Sequence, residues 1–279
     1  MVKRLLVSIE ISRPHNMLVA ALGVAAGYVI SDGDSAAAVW PTALFTALVT
    51  GAGNIINDYY DVEIDGVNKP RRVLPSGRMS VRGAGMLYAA ATALITVGAF
   101  AFLPLRIFVL ILLWQLALYV YARFVKRMFL VGNLLVAAGT SSVFLAGALV
   151  TGNVTAAIVP VAIAMVFILS RELVKGAEDV EGDRTAGVST VAVVMGTNRT
   201  VMAASGLMLV LAAAIPVQTL AGHYGCLYLW VMELTVVPGL LAASYMALNH
   251  KGKQSFCRVS WLLKIEMFFG VLAMGVGHL

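Results

Sequence analysis

The chain is poor in charge. Of its 279 residues only 12% are Asp, Glu, Lys or Arg, while 60% are hydrophobic. That balance excludes an ordinary soluble domain. Cysteine is nearly missing: Cys226 and Cys257 give neither a disulfide framework nor the spacing of a metal-binding set. Histidine is scarce as well, and His15, His223, His250 and His278 show no ligand spacing. No long polar stretch is left over for a separate soluble domain, so one domain over residues 1–279 is expected. The first apolar run, from Met17, continues to full helix length without a small-residue cleavage site, so no removable signal peptide is expected. The net charge of +6 would suit nucleic acid. The basic residues fall in loops between apolar runs, however, where membrane topology and lipid headgroups account for them better. Neither a nucleic-acid nor a protein partner is expected.

What the chain has in abundance is apolar runs of about twenty residues, enough to cross a hydrocarbon core of ~30 Å as helices. Nine spans are expected, at roughly 12–31, 38–57, 83–103, 106–122, 131–150, 155–174, 200–220, 227–248 and 259–277. The loops between them alternate. After the second, fourth, sixth and eighth spans they are basic, with Lys69, Arg71, Arg72, Arg78 and Arg82, then Arg123, Lys126 and Arg127, then Lys175, Arg184 and Arg199, then Lys251, Lys253 and Arg258. The other connections are short and nearly uncharged. The positive-inside rule then puts the N-terminus in the cytoplasm and the C-terminus outside, in the cell membrane. Two features are less regular. Spans three and four nearly run together at Pro104. Lys264 and Glu266 lie inside the last span, where they are expected to snorkel or to pair in the bundle interior.

Acids are the rarest charge, fourteen in all. Four of them, Asp58, Asp61, Glu63 and Asp65, follow the second apolar run, and Glu178, Asp179, Glu181 and Asp183 follow the sixth. Carboxylates at a membrane boundary are costly and point to function. Asp61 and Asp65 are four apart, as are Asp179 and Asp183, with an offset of 118 residues. The pattern of span, acid pair and basic segment thus occurs twice, which is an internal repeat. Four spans separate the copies, so both emerge on the same face, expected to be cytoplasmic. Residues four apart share a helix face, and Asn54 and Asp58 are expected on or near that face too. Crowded like charges repel, and a hard divalent cation relieves the repulsion. Mg2+ takes oxygen ligands and commonly bridges one or two carboxylates to substrate phosphates. Arg71, Arg72, Arg78, Arg123, Lys126, Arg127 and Lys175 are candidates for further positive charge around a diphosphate. Tyr59, Tyr60, Tyr119 and Tyr121 offer aromatic faces for a carbocation, and also suit an interfacial belt.

At this point a family resemblance emerges. Asn57-Asp58-x-x-Asp61-x-x-x-Asp65, followed by Asn68-Lys69-Pro70-x-Arg72-x-x-Pro75, resembles the first aspartate motif of the UbiA-type intramembrane prenyltransferases. Arg171-Glu172-x-x-Lys175-x-x-x-Asp179-x-Glu181-Gly182-Asp183 resembles the second. Tyr121 with Lys126-Arg127 and Gly132-Asn133, and the entry Arg13-Pro14-x-Asn16, are similar to other family segments. The resemblance covers essentially the whole chain. It implies an all-α membrane protein of nine helices around a central cavity, Mg2+ as cofactor, and prenyl transfer from a prenyl diphosphate. Carried over residue by residue, it implies Asp58, Asp61, Asp65, Asp179 and Asp183 as catalytic acids that hold metal together with Asn54. It implies Arg13, Asn16, Asn54, Asn57, Lys69, Arg72, Tyr121, Lys126, Arg127, Asn133, Arg171 and Lys175 as substrate contacts. The motif wording is most similar to archaeal members that transfer geranylgeranyl from geranylgeranyl diphosphate to the hydroxyl of geranylgeranylglyceryl phosphate, a lipid acceptor, forming an ether lipid. Many relatives carry an Asp soon after the second-motif lysine, where this chain has Gly176-Ala177-Glu178.

Two other functions compete. An aromatic prenyltransferase of quinone synthesis, acting on 4-hydroxybenzoate or a naphthoate, would use the same motifs. A cation or phosphate transporter also uses intramembrane acids and repeats, but its acids belong near mid-membrane, and here they lie at span ends.

Overall fold

A computed structural model describes residues 2–220 and 225–277; His223, His278 and most of the connection Ala221 to Gly225 lie outside them. Among the described residues there are helices and turns and no strand. The helices are α1 (Val2–Ser12), α2 (Pro14–Ile30), α3 (Ala36–Tyr60), α4 (Val62–Asn68), α5 (Val81–Phe102), α6 (Leu105–Arg123), α7 (Val131–Thr151) and α8 (Ile158–Thr185). They continue with α9 (Val191–Met195), α10 (Thr197–Leu220), α11 (Cys226–Val231), α12 (Val237–Asn249) and α13 (Lys253–Val276). A π-helical turn, Met232–Val236, joins α11 to α12. Eight of the helical segments are long and apolar enough to cross a membrane, and Pro14–Ile30 is a shorter apolar helix of 17 residues. This is a multi-pass membrane protein.

Local chemistry sets the breaks. Pro104 cannot donate to a helical ladder and pushes the residue before it into extended backbone. Leu103 accordingly sits at φ −111°, ψ 147°, and α5 and α6 are separate helices. Pro14 opens α2 at a first-turn position, where its missing N–H costs nothing. Arg13 before it takes a left-handed conformation, φ 54°, ψ 73°, unusual for a side-chain-bearing residue and strained.

The bundle surrounds a cavity of about 520 Å³. Its walls come from α2, α3, α6, α7, α8 and α13. Helix α2 packs on α3, α7 and α13, and α8 packs on α7, α10 and α13. The α2–α7 contact is backbone on backbone: a Cβ at Gly27 would strike the Phe144 carbonyl, and one at Gly147 would strike that of Val24. Without a hydrophobic force between helices in lipid, such close approach of small residues carries the packing. The main apolar core lies on the other side of α8, where Met208, Tyr228, Leu240 and Leu263 are fully buried. The two charges of the last span part company. Lys264 faces the cavity, whereas Glu266 is buried against Gly239 with one carboxylate oxygen unpartnered.

Candidate active site

The first acidic run is not one continuous helix face. Helix α3 stops at Tyr60, and Asp61 stands at the joint with φ −97°, ψ 1° before α4 begins. The expected run of Asn54, Asp58, Asp61 and Asp65 along one helix is therefore corrected to two helices that meet at Asp61. Asp58 accepts from Arg13 and, at 3.4 Å, from Arg72, and it is absent from the lining of the cavities described here. The same Arg72 nitrogen donates to Asp65 at 2.6 Å, so Asp58 and Asp65 share one cation across the turn at Asp61. The second run behaves as expected, since Asp179 and Asp183 lie within the unbroken helix α8.

Both pairs reach one cleft. A space of about 80 Å³ is lined by Asp61, Asp65, Asp179 and Asp183, together with Lys126, Arg127 and Asn133. It adjoins the 520 Å³ cavity, and Arg13, Asn57, Lys69, Arg72, Tyr121, Glu172 and Lys175 line both. Asn16, Asn54 and Arg171 line the larger space alone. Of the site residues expected from sequence, Asp58 is thus the exception. Among the wider candidates, Arg71, Arg78 and Arg123 line neither space. Arg78 pairs with Glu10 on the exposed surface at 2.6 Å, and Arg123 lies over the rings of Tyr60 and Phe124. Tyr59, Tyr60 and Tyr119 stack edge to face in that neighbourhood, leaving Tyr121 as the cavity-facing tyrosine of the four.

Each cleft carboxylate has a partner. Lys126 donates to Asp61 and, at 3.4 Å, to Asn57. Arg72 donates to Asp65 at 2.6 Å. Lys69 donates to both oxygens of Asp179 at 2.7 and 2.5 Å. Thr190 donates to Asp183 at 3.1 Å. Burial alone would push the Lys126 ammonium towards neutrality, but Asp61 and then the Tyr121 phenol outweigh it and hold its pKa above the ordinary value of 10.5. Burial likewise opposes charge on Arg72, and Asp65 and Asp58 outweigh it, raising its pKa. Asn54 is held by its neighbours, donating to the Ser12 carbonyl at 2.9 Å and accepting from Asn16 and Arg13.

Three contributors stand outside the expected site residues, although Asn68 and Glu172 belong to the quoted motifs. Asn68 joins the two acidic runs, donating to the Asp179 carbonyl at 2.9 Å and accepting from the Gly182 N–H at 3.2 Å. A Cβ at Gly182 would overlap the Asn68 amide, so the glycine is what admits the contact. Glu172 is buried between Arg171, at 2.8 Å, and Lys175, at 3.6 Å; its place between two cations within an apolar run was a legible signal. Thr190 carried none.

Among the described residues no three His, Cys, Asp or Glu side chains gather closely enough to hold a metal unaided. The donors that line the cleft are hard carboxylate oxygens. They suit Mg2+, which completes its shell with phosphate oxygens and water rather than an all-protein cage.

The pattern of the UbiA prenyltransferase family matches residues 17–271. The chain belongs to that family. A digeranylgeranylglyceryl phosphate synthase of Korarchaeum cryptofilum is 38% identical over 267 residues, 95% of each chain. A solved digeranylgeranylglyceryl phosphate synthase structure is 29% identical and superposes with a TM-score of 0.73 over 100% of this chain and 99% of the other. A UbiA homologue of Archaeoglobus fulgidus, solved with GPP and Mg2+, shares the fold at 19% identity with a TM-score of 0.68, covering 96% and 99%. This UbiA-family chain therefore has the prenyltransferase fold from end to end.

Proposed function

We propose that the protein transfers a geranylgeranyl group from geranylgeranyl diphosphate to the hydroxyl of geranylgeranylglyceryl phosphate, with Mg2+. One observation carries the reading: two acid pairs 118 residues apart line a single small cleft that adjoins a large cavity. The cleft has the size and charge for a diphosphate, and the cavity walls have the apolar length for prenyl chains. The full-length identity to digeranylgeranylglyceryl phosphate synthases supports the choice of acceptor.

Asp61, Asp65, Asp179 and Asp183 would hold Mg2+, which when bound neutralises charge on the departing diphosphate. Lys69, Arg72, Lys126 and Lys175 release their carboxylates in favour of phosphate oxygens, which accept charge-assisted hydrogen bonds in their place. The allylic carbon–oxygen bond breaks with its electron pair going to diphosphate. The acceptor hydroxyl oxygen bonds to that carbon, and its proton leaves with the diphosphate, giving an ether. The water-poor cavity protects the carbocation from hydrolysis.

The fold reading extends to nine spans in one domain, counting α2, with the acidic pairs as copies of one repeat. We place the cleft and N-terminus in the cytoplasm and the C-terminus outside, which the alternating basic loops support. The deciding assay offers purified protein radiolabelled geranylgeranyl diphosphate with either acceptor class. Label should enter geranylgeranylglyceryl phosphate; label entering only an aromatic acid would overturn the assignment.

A further inference from the structure

The polar end of the large cavity carries more positive charge than the cleft beside it. Six cations line the large cavity, Arg13, Lys69, Arg72, Arg171, Lys175 and Lys264, against Glu172 and Glu178. In the cleft, Arg13, Lys69, Arg72, Lys126, Arg127 and Lys175 meet five acids, Asp61, Asp65, Glu172, Asp179 and Asp183. On α8, Arg171 and Lys175 flank Glu172, and α13 adds Lys264 with no acid of its own in the lining. Lys264 has no carboxylate partner among the described residues; its ammonium lies 5.2 Å from the Trp261 ring centroid, and Arg171, Arg13 and Lys175 bear on it as like charges. Arg171 Nε is buried without a hydrogen-bond partner, as is the Ser260 hydroxyl one turn before Lys264. Both line the same cavity, with His15 from α2.

Arg171 keeps Glu172 on its Nη1, but an unneutralised Lys264 and orphaned donors in an apolar wall are expensive unless an anion joins them. The diphosphate is not that anion, because the acids that would hold its Mg2+ line the small cleft, and Arg171, Ser260 and Lys264 line only the large cavity. We propose that Arg171, Ser260 and Lys264, with His15 beside them, form a second anion subsite that binds the phosphomonoester of the lipid acceptor. This deepens the functional reading above and rests on it. Held there, the acceptor's hydroxyl points back to the seam of residues shared by the cavity and the cleft, where the allylic carbon is released. The charge surplus then selects an acceptor with a phosphate rather than the bare alcohol.

The test compares Lys264→Gln and Lys264→Arg with the unmodified protein in lipid nanodiscs. Two acceptors are offered, geranylgeranylglyceryl phosphate and its dephosphorylated alcohol. A hydrogen bond to a charged group corresponds to about a tenfold to hundredfold change. Lys264→Gln should raise KM for the phosphorylated acceptor by about that factor, leave KM for geranylgeranyl diphosphate unchanged, and leave turnover of the alcohol unchanged. Lys264→Arg should restore most of the loss. Equal effects on both acceptors, or a rise confined to the prenyl diphosphate, would overturn the subsite. Glycerol phosphate gives a reading without any variant: it should compete with the acceptor and not with the prenyl diphosphate. Competition with the prenyl diphosphate alone, or none, also sinks the proposal. Failure of the unmodified protein to use the phosphorylated acceptor at all would instead refute the functional reading on which the subsite stands.

Discussion

Lys69 Nζ reaches both carboxylate oxygens of Asp179, at 2.7 and 2.5 Å, although the two residues are 110 positions apart. One residue earlier, Asn68 holds the backbone of the same helix. The basic segment after the first acidic run is therefore bonded to the second run, and the two halves of the cleft are tied before any ligand arrives. Four predictions follow from that arrangement.

Replacing Asp183 by Asn keeps the shape of the side chain and its bond from Thr190, while removing a negative charge from the cleft. Turnover should fall by about 100-fold or more, the scale of losing one preorganised electrostatic contact. Thermal unfolding should be little changed. Undiminished radiolabel transfer at saturating Mg2+ would remove Asp183 from the mechanism.

Chelation should abolish turnover and Mg2+ should restore it. The fold should survive, because Lys126, Arg72 and Lys69 already neutralise Asp61, Asp65 and Asp179 in the absence of metal. A melting curve with EDTA that collapses rather than shifting by a few degrees would contradict this.

Lys126→Met should cost about 3–5 kcal/mol, because Asp61 is then left buried and uncompensated. Asp61→Asn in the same chain should recover much of the loss. The pH dependence has a definite sign. The folded pKa of Lys126 is raised, so the pair's contribution is complete below the ordinary lysine value of 10.5 and is lost only as pH climbs through the higher folded value. Denaturant midpoints of protein and variant should keep a constant separation from pH 7 to about 10.

Two glycines of α8 should respond in opposite directions. Gly176 has only Ala192 Cβ near it, at 4.0 Å. Ala there gains up to ~1 kcal/mol of helix propensity. Gly182→Ala forces the Asn68 amide away and breaks the bond between the two runs, so it should lower the melting temperature. Equal melting temperatures for the two variants would show that Asn68 does not need the close approach.

Much of this was legible in the sequence because acids are so rare in it. Asp61, Asp65, Asp179 and Asp183 stood out by scarcity and spacing, and the cleft contains all four. Helix extents were read from apolar length, and the doubtful join at Pro104 resolved into two helices by the proline's own backbone limits. The break after Tyr60 was not legible, because nothing in the pattern announces it, and Asp58 meets Asp65 across that joint through Arg72 rather than along one helix. Asn68, though part of the first motif, had no role assigned, and Thr190 gave no signal, for another reason. Neutral polar residues are common in loops, and only the tertiary partner reveals their use. Lys264 was noticed, but whether it snorkels or faces inward depends on the rotation of α13, which one lysine cannot fix.

The Asn68 contacts also impose an order on biogenesis. Its partners are synthesised 111 and 114 residues after it. The first half of the cleft leaves the ribosome with its carboxylates clustered and the bond to α8 unmade, and it waits through the insertion of several further helices. Long-range closure of this kind is slow compared with local helix formation. In a nascent chain that ends before Asp179, Asn68 and Lys69 therefore have none of these α8 partners.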